Sequence, residues 1–423
     1  MRRNAILLAL GLVACSSRAP NRVVTVTPKP SRAKPAARPG DLGRIVRVVL
    51  ATSDRRITAN GDFDFYDEET GARIGHGQRG EIWRIERERG GVRVRAVATE
   101  GGTTTWTRAM SVTSAVPLQI GTKKYRGRFV VLPVDTSLMV VNHLPVEDYL
   151  RGVVPMEIGK LPAQDSAAVQ SQAVAARSYT YVRLTDPTPR AFDLRPTTSD
   201  QVYGGMNAET DVSNDAIDAT RGLVVMWQGH VVDAPFSSTC GGSTADAAEV
   251  WNGPAVPYLR RVSDQIGNTA RYYCDQGSRF RWTRTLSAAE LNATLAQYLR
   301  QYASVPASGP GLARAVNIQN RGASGRVAVI QIEADHGTFP VRGDDIRSIL
   351  RAPSGEPLSN TYFSLAPEYD RDGHLSSVMI RGQGYGHGVG MCQQGAIGRA
   401  RAGQTFREIL GTYYPGTTVG PIR

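Results

Sequence analysis

Glu157 is the residue of this chain best suited to acid–base chemistry. It ends the run Val153-Val-Pro-Met-Glu157, which we interpret as a short Pro-bounded loop between an extended segment and an alanine-rich helix. Burial against apolar neighbours disfavours an ionised carboxylate, so a carboxyl group here could keep its proton near neutral pH. A Pro-x-Glu loop taken alone is more often a solvated turn, and the surrounding residues must decide between the two interpretations.

The helix that must present polar groups to Glu157 is expected at 166–184, with Asp165 as its N-cap. Gln172 and Tyr179 are seven residues apart and therefore share one face of this helix, and Arg177 is a third polar residue on it. Polar side chains on a helix of alanine and valine either point to solvent or line a cleft. On the residues alone, solvent is the commoner arrangement.

A second candidate segment is the glycine-rich run Gly384-Tyr-Gly-His-Gly-Val-Gly390. Closely spaced glycines permit close backbone approach and unusual dihedral angles. We expect His387 to be exposed there and functional, either orienting the acid or binding substrate. A phosphate-binding loop is excluded, because no Lys-Ser/Thr pair follows the glycines and no βαβ unit precedes them.

Short strands separated by turn signals dominate the chain from Arg44 onward, and helical patterns appear only later. Besides the helix at 166–184, we expect helices near 286–302, 344–351, 393–402 and 405–413, and a hairpin turning at Gln228-Gly229. Strands and helices mix without regular alternation, which indicates an α+β fold rather than a doubly wound sheet. We assign 43–423 to one domain or two interlocked lobes, with a strand-rich part at 43–140 and a catalytic part at 141–423.

The first 42 residues indicate an export leader and a linker rather than a folded domain. Two arginines precede a short apolar run and then Leu12-Val-Ala-Cys15, which resembles a bacterial lipobox. We expect residues 1–14 to be removed and Cys15 to carry lipid, anchoring the protein in the envelope on the periplasmic face, at the outer membrane. A chance cysteine in a plain secretion signal is the alternative. The rest of 15–42 is expected to form a disordered, basic Pro/Ala-rich tether.

The net charge of +12 does not indicate a nucleic-acid-binding protein. Eight basic residues and one acidic residue lie before residue 43, so only about +5 belongs to the globular part, and no nucleic-acid motif accompanies it.

Three cysteines remain after Cys15, and in an exported protein a pair is expected to be bridged. We expect a disulfide between Cys240 and Cys274, with Cys392 free, and no bound cofactor. The alternative is a zinc ion held by these three cysteines and His387, although their long separations match no compact finger spacing.

Several blocks of the chain, in order, resemble the stage II sporulation protein D (SpoIID) family, which includes the LytB amidase enhancers. The blocks are Val146-Glu-Asp-Tyr-Leu-Arg-Gly-Val-Val-Pro-Met-Glu157, Gln172-Ala-Val-Ala-Ala-Arg177-Ser-Tyr179, Asp200-Gln-Val-Tyr203-Gly-Gly, Thr220-Arg-Gly-Leu-Val, Ser238-Thr-Cys-Gly-Gly-Ser-Thr, Pro257-Tyr-Leu, Gly386-His-Gly-Val-Gly-Met-Cys-Gln-Gln-Gly-Ala and Tyr413-Tyr-Pro-Gly-Thr. They run from residue 146 to 417, and their ordered combination is specific although each block alone is weak.

The resemblance implies a lytic transglycosylase that cleaves the glycan strands of peptidoglycan in wall remodelling or division, with Glu157 as the catalytic acid. A glycoside hydrolase usually adds a second carboxylate. A lytic transglycosylase instead uses the sugar's own 6-hydroxyl and leaves 1,6-anhydro-muramic ends. One carboxylate can therefore suffice, and we expect Glu147 and Asp148 to be structural.

The same resemblance suggests which residues contact the glycan or position Glu157. They are Gln172, Arg177, Tyr179, Tyr203, Ser237, Ser238, Thr239, His387 and Gln394. On the residues alone, a core tyrosine and a capping serine stay open as alternatives for Tyr203 and for the serines. Some family members carry His and Cys in a metal-binding loop after the helix that ends near residue 184. Residues 185–203 contain neither, so we do not expect that metal site.

The family leaves a second function open, that of a non-catalytic peptidoglycan-binding protein that enhances an N-acetylmuramoyl-L-alanine amidase. A third possibility, a structural envelope lipoprotein, predicts no glycan binding. The presence of Glu157 with Gln172 and Arg177 favours the enzyme.

Overall fold

The computed structural model of the chain describes residues 43–50, 52–97, 102–186, 188 and 190–422. The leader at 1–14, the lipidation site Cys15 and the tether lie outside these residues and stay predictions. Among the helices described, none has the length and apolar composition that crossing a membrane would require.

The α+β class is confirmed, since the described residues form eight α-helices and 22 strands. The helices are α1 (Val146–Glu157), α2 (Ser166–Leu184), α3 (Asp211–Ala219), α4 (Ala247–Trp251), α5 (Ala288–Tyr298), α6 (Asp345–Ile349), α7 (Gln393–Arg401) and α8 (Phe406–Tyr413). The strands are β1 (Ile45–Val49), β2 (Arg56–Ala59), β3 (Phe63–Asp67), β4 (Arg73–Gly77), β5 (Trp83–Glu88), β6 (Gly91–Ala96), β7 (Met110–Ser114), β8 (Leu118–Ile120), β9 (Lys123–Tyr125), β10 (Arg128–Val134), β11 (Ser137–Pro145), β12 (Leu223–Trp227), β13 (His230–Val231), β14 (Phe236–Ser237), β15 (Arg281–Ser287), β16 (Ala313–Arg321), β17 (Val327–Ala334), β18 (Gly337–Arg342), β19 (Phe363–Tyr369), β20 (Leu375–Gln383), β21 (Met391–Cys392) and β22 (Thr418–Pro421).

Residues 45–145 contribute two antiparallel sheets, and the last of their strands leads into the helix that carries Glu157. Their strand orders are β1-β11-β10-β7-β3-β4 and β6-β5-β2-β8-β9. Alternate residues point to a shared core, as Val46 and Val48 do in β1, because side chains alternate between the two faces of a strand. Strand β11 runs directly into α1, so the sheet fixes where α1 begins.

Residues 146–157 form a helix, so our interpretation of an extended segment followed by a loop is wrong. Apolar residues recur at helical spacing, and all are buried: Val146, Tyr149, Leu150, Val153 and Val154. Pro155 removes one backbone donor near the end of the helix, where only one intrahelical bond is lost. Gly159 follows with φ of +92°, a conformation that glycine adopts readily. Glu157 is therefore held at the end of a rigid helix.

Helix α2 has the bounds expected for it, and Asp165 stands at its N-cap position as expected. The Asp165 carboxylate makes no capping bond and instead accepts two hydrogen bonds from Arg401, at 2.9 and 2.7 Å. The helices expected near 286–302, 344–351, 393–402 and 405–413 correspond to α5 to α8, and the expected hairpin turns at Gln228-Gly229 between β12 and β13. Helices α3 and α4 were not expected.

Two apolar cores lie along the chain. One is built from residues 46–280 and again from 389 onward. The other is built within 282–380 from α5, α6 and two three-stranded sheets, β15-β20-β19 and β16-β17-β18. The chain thus leaves the first core after Phe280 and returns to it at Val389. There β21 pairs in parallel with β14, placing Cys392 beside Ser237.

Candidate active site

Glu157 is buried, with 2% of its surface exposed. Its Oε1 accepts a hydrogen bond from the backbone N–H of Val202 at 2.6 Å. Burial raises the pKa of the carboxyl group to about 7, while hydrogen bonds from Val202 and the Gln393 side chain lower it to a lesser degree. Near neutral pH the group therefore holds its proton in a substantial fraction of molecules, as a general acid requires.

Two glutamines from different helices meet beside this carboxyl group. Gln172, in the middle of α2, is fully buried, and its Oε1 accepts a hydrogen bond from Nε2 of Gln393 at 3.2 Å. Nε2 of Gln172 has no hydrogen-bond partner among the described residues. An unsatisfied buried donor costs about 1–3 kcal/mol, so its presence requires an explanation. It is an enclosed donor whose hydrogen-bonding capacity is unused by the described residues.

Helix α7 brings the second glutamine to the site. Gln393 is its first residue, and Sγ of Cys392 caps the helix by accepting the N–H of Gly395. Our sequence analysis named Gln394 as a substrate contact and did not name Gln393. Gln394 turns away from Glu157, since its N–H donates to the carbonyl oxygen of Ser238 and its side chain lies against Gly277. The sequence placed both glutamines at the start of the helix expected near 393–402, but it does not show which of them faces Glu157.

Arg177 does not take the expected place beside the sugar or Glu157. It is fully buried, and its Nε and Nη2 each donate to a carboxylate oxygen of Glu147 at 2.8 Å. Nη1 donates to the carbonyl oxygen of Leu223. This pair joins α1, α2 and the start of β12, and it agrees with the structural role expected for Glu147.

The two tyrosines expected to contact substrate are both largely buried. The hydroxyl of Tyr203 donates to Oδ1 of Asn142 at 2.9 Å, and its ring lies 5.1 Å from that of Tyr149. The hydroxyl of Tyr179 donates to Asp200 at 3.1 Å, and Arg183 lies over the Tyr179 ring. Tyr203 is therefore a core residue, which was the alternative to substrate binding.

His387 is not the exposed residue that its glycine-rich segment predicted. It is 2% exposed, its Nε2 lies 2.9 Å from the carbonyl oxygen of Phe236, and its Nδ1 accepts the N–H of Val389 at 3.0 Å. A carbonyl oxygen can only accept, so Nε2 carries the hydrogen. Burial lowers the pKa of His387 to about 4, so the ring is neutral at pH 7. The histidine holds β14 to the glycine-rich segment.

The hydroxyl-bearing residues 237–239 are also buried. Ser237 accepts the N–H of Gly388 at 3.2 Å, and the backbone of Thr239 exchanges two hydrogen bonds with Tyr385. The substrate contacts expected for Ser237, Ser238 and Thr239 gain no support from this burial. The segment instead bonds to the glycine-rich segment at 384–390.

The disulfide expected between Cys240 and Cys274 is not formed. All three described cysteines are buried thiols. The sulfur atoms of Cys240 and Cys274 are 3.6 Å apart, whereas a disulfide bond is about 2.05 Å long. Cys392 is not isolated either, because its sulfur accepts the N–H of Cys240 at 3.2 Å. The three cysteines form one cluster behind the first turn of α7.

Comparison with known families matches two parts of the chain. Residues 134–227 match the family model described as stage II sporulation protein, and residues 268–390 match one described as a domain of unknown function (DUF8618). Glu157 and Gln172 lie in the first match. Gln393 lies in neither, so the site draws on residues outside both.

Curated relatives extend the similarity over most of the chain. It is 34% identical over 297 residues to an uncharacterized protein of Brachyspira hyodysenteriae, covering 70% of this chain and 72% of the relative. It is 29% identical over 324 residues to stage II sporulation protein D of Bacillus subtilis, covering 72% of this chain and 83% of that relative. It is 29% identical over 316 residues to the amidase enhancer of Bacillus subtilis, covering 64% of this chain but only 40% of that relative.

Proposed function

The chain belongs to the SpoIID/LytB family, and on that premise we propose that it is a peptidoglycan lytic transglycosylase with Glu157 as general acid and base. The observation that supports this most is the buried Glu157 carboxyl group, whose pKa of about 7 lets it hold and release a proton near neutrality. The open donor of Gln172 adds a group suited to a sugar oxygen.

In the proposed reaction one carboxyl group serves both steps. Protonated Glu157 gives its proton to the glycosidic oxygen as the bond from that oxygen to the muramic C1 breaks. The resulting carboxylate then takes the proton of the muramic 6-hydroxyl as its oxygen bonds to C1. The products are a free hydroxyl on the leaving sugar and a 1,6-anhydro end, with no water consumed. The carboxylate of Glu147, in the first turn of α1, is paired with Arg177 and has no role in either step.

The test is digestion of purified glycan strands, both with and without their stem peptides. We expect products carrying 1,6-anhydro-muramic ends, identified by mass. Absence of such ends from both substrates would remove the enzymatic proposal. Formation of 1,6-anhydro ends only on strands without stem peptides would mean that an amidase must remove the peptides before this protein acts.

A non-catalytic enhancer of an amidase is the second proposal. The name of one relative suggests it, and the 2% exposure of Glu157 restricts access by a polymer. An open cleft of about 860 Å³ at the surface of the part built around the second core is lined by Arg281, Arg321, Arg381 and Trp282, which offer cationic and aromatic groups to an acidic glycan. This proposal predicts stimulation of an N-acetylmuramoyl-L-alanine amidase by wild type and Glu157→Gln alike, and unequal stimulation would contradict it.

The two adjacent glutamines allow a matched test of the site. We expect Gln393→Ala to lower the cleavage rate by about 10- to 100-fold, the effect of losing a hydrogen bond to a charged group. We expect Gln394→Ala to retain nearly full rate, because its side chain lies against Gly277. Steady-state rates on the same glycan measure both variants. Equal losses would show that Gln393 acts only through the fold of α7.

We further propose that the protein works at the cell envelope, held there by lipid on Cys15. The support is the run of charge, apolar residues and Leu-Val-Ala-Cys at the N-terminus. Cells given labelled palmitate should label the wild-type protein and not Cys15→Ala. Equal labelling of both would refute the anchor.

A further inference from the structure

Four buried residues place metal-binding atoms close together behind the candidate active site. They are Cys240, Asp264, Cys274 and Cys392, and one sulfur or carboxylate oxygen from each lies within 4.8 Å of all the others. The residues come from the segment after β14, the segment before β15, and the N-cap of α7. Three separate parts of the chain therefore converge on one point.

We propose that these four residues bind a single zinc ion in tetrahedral geometry. Zn–S bonds of about 2.3 Å and Zn–O bonds of about 2.0 Å require about 3.8 Å between two sulfurs and about 3.5 Å between sulfur and oxygen. The sulfurs of Cys240 and Cys274 are 3.6 Å apart, and Cys240 Sγ is 3.3 Å from Oδ2 of Asp264. These short separations fit ligands of a single ion. In an iron–sulfur cluster the cysteines bind several different irons and would lie farther apart.

Buried charge provides a second, independent observation. Arg326 is 1% exposed and forms no ion pair with a described carboxylate, and its Nη2 donates to the carbonyl oxygens of Cys240 and Ser243. Its Nε and Nη1 have no hydrogen-bond partner among the described residues, although the guanidinium lies 5.6 Å from the centre of the Tyr362 ring. Arg399, the other nearby cation, is paired with Asp264. With neutral thiols or a disulfide, the buried Arg326 charge has no ion-pair partner and is offset only by the more distant carboxylate of Glu249, which is unfavourable.

A zinc ion removes this imbalance. Three thiolates and one carboxylate carry four negative charges, zinc supplies two positive charges, and the guanidinium groups of Arg326 and Arg399 balance the remaining two. Zinc bound through thiolates is thus the occupant that leaves the buried site near neutrality.

The groups around the four ligands are arranged as outer-shell partners of a metal site. Oδ1 of Asp264 accepts the hydroxyl of Tyr413 at 2.6 Å and Nη2 of Arg399 at 3.1 Å, which leaves Oδ2 facing the sulfurs. Such partners orient ligands and raise metal affinity. Gly395 has no side chain because a Cβ there would meet both Asp264 and Tyr413. His387, the fourth ligand considered from the sequence, has both ring nitrogens engaged elsewhere.

All four coordination positions would be filled by protein, as in structural zinc sites. The ion would fix the N-cap of α7, and Gln393 is the next residue after Cys392. The metal therefore holds the glutamine that hydrogen-bonds Glu157, without touching the substrate. This proposal differs from our expectation that no cofactor is bound.

The experiment uses the full chain loaded with Zn²⁺ or Co²⁺ and freed of loosely held metal. We expect one zinc per chain by plasma mass spectrometry, and sulfur-to-cobalt charge-transfer bands with tetrahedral d–d bands for the cobalt form. Cys274→Ser should lose the zinc. Tyr413→Phe, which keeps the ring, should lower zinc affinity by about 10- to 100-fold. The cobalt spectrum needs no variant and so does not depend on Cys274→Ser folding.

The matched control is the exposed group Asp370, Asp372 and His374, whose ligand atoms also lie close together. Asp370→Asn should keep the zinc and the cobalt bands. The proposal is overturned if zinc stays in Cys274→Ser and leaves Asp370→Asn, or if no sulfur–cobalt bands form. It is equally overturned if the intact mass is two hydrogens low, since that mass reports a disulfide.

Discussion

Glu157→Gln is expected to reduce the rate of glycan cleavage by about 10²- to 10⁴-fold, the usual contribution of a general acid. Glutamine has nearly the same shape, and its amide oxygen can still accept the N–H of Val202, so the fold should persist. The variant has no proton to give to the leaving oxygen. Release of anhydro-muramic ends, measured at equal protein concentration, checks this result. A variant as fast as wild type would exclude Glu157 as the acid.

Comparing the stability of wild type and Glu157→Gln as a function of pH gives a further test, because the direction of the expected change is fixed. Burial raises the pKa of Glu157 from 4.5 to about 7, so the folded chain binds this proton more tightly than the unfolded chain. The stability that protonation contributes is complete below about pH 4.5 and is lost as the pH rises through about 7. Glu157→Gln has no carboxyl group at this position and therefore does not lose this stability as the pH rises. Its stability relative to wild type should therefore rise by about 3 kcal/mol over that range.

Urea unfolding of both proteins from about pH 4 to pH 8 measures that difference. Parallel stability curves would show that the carboxyl group has an ordinary pKa. Wild-type cleavage should also decline above about pH 7, because the protonated fraction of Glu157 falls.

Glu147→Ala is expected to destabilise the protein by about 3–5 kcal/mol, because it leaves the charge of Arg177 buried without a partner. Arg177 is fully enclosed and donates two hydrogen bonds to Glu147 at 2.8 Å. The backbone N–H of Gly222 also loses an acceptor. Chemical unfolding at neutral pH measures the change.

The exposed pair of Arg151 and Asp218 is the matched control. Its 2.7 Å contact lies at the surface, where ion pairs contribute about 0.2–1 kcal/mol. Asp218→Ala should therefore change stability by less than about 1 kcal/mol. Similar effects of the two substitutions would mean that burial does not set the strength of the Arg177 pair.

The sequence predicted the fold class and most helices because those signals are local. Helix α2 is a long run of strong helix formers, and its bounds matched the expectation. Helix α1 was missed although its apolar residues recur at helical spacing, because Pro155 and the β-branched valines favoured an extended interpretation. That error placed Glu157 in a loop, while packing against the core keeps it on a helix.

The site was predicted less completely, because it depends on contacts between distant residues. Glu157 and Gln172 were identified, and the structure brings them together through Gln393, which is 221 residues beyond Gln172. Arg177 and His387 are polar residues in conspicuous motifs, but both are buried and satisfied by other partners. No single sequence distinguishes a polar residue that satisfies a core from one that meets a ligand.

The proton affinity of Glu157 belongs to the folded protein and not to the residue. The groups that enclose it come from α1, α2, the backbone at Val202 and the first residue of α7, so the enclosure is complete only when the C-terminal part has joined. An unfolded chain carries an ordinary ionised glutamate at neutral pH. If Glu157 is the acid of the proposed cleavage reaction, that reaction requires the folded molecule.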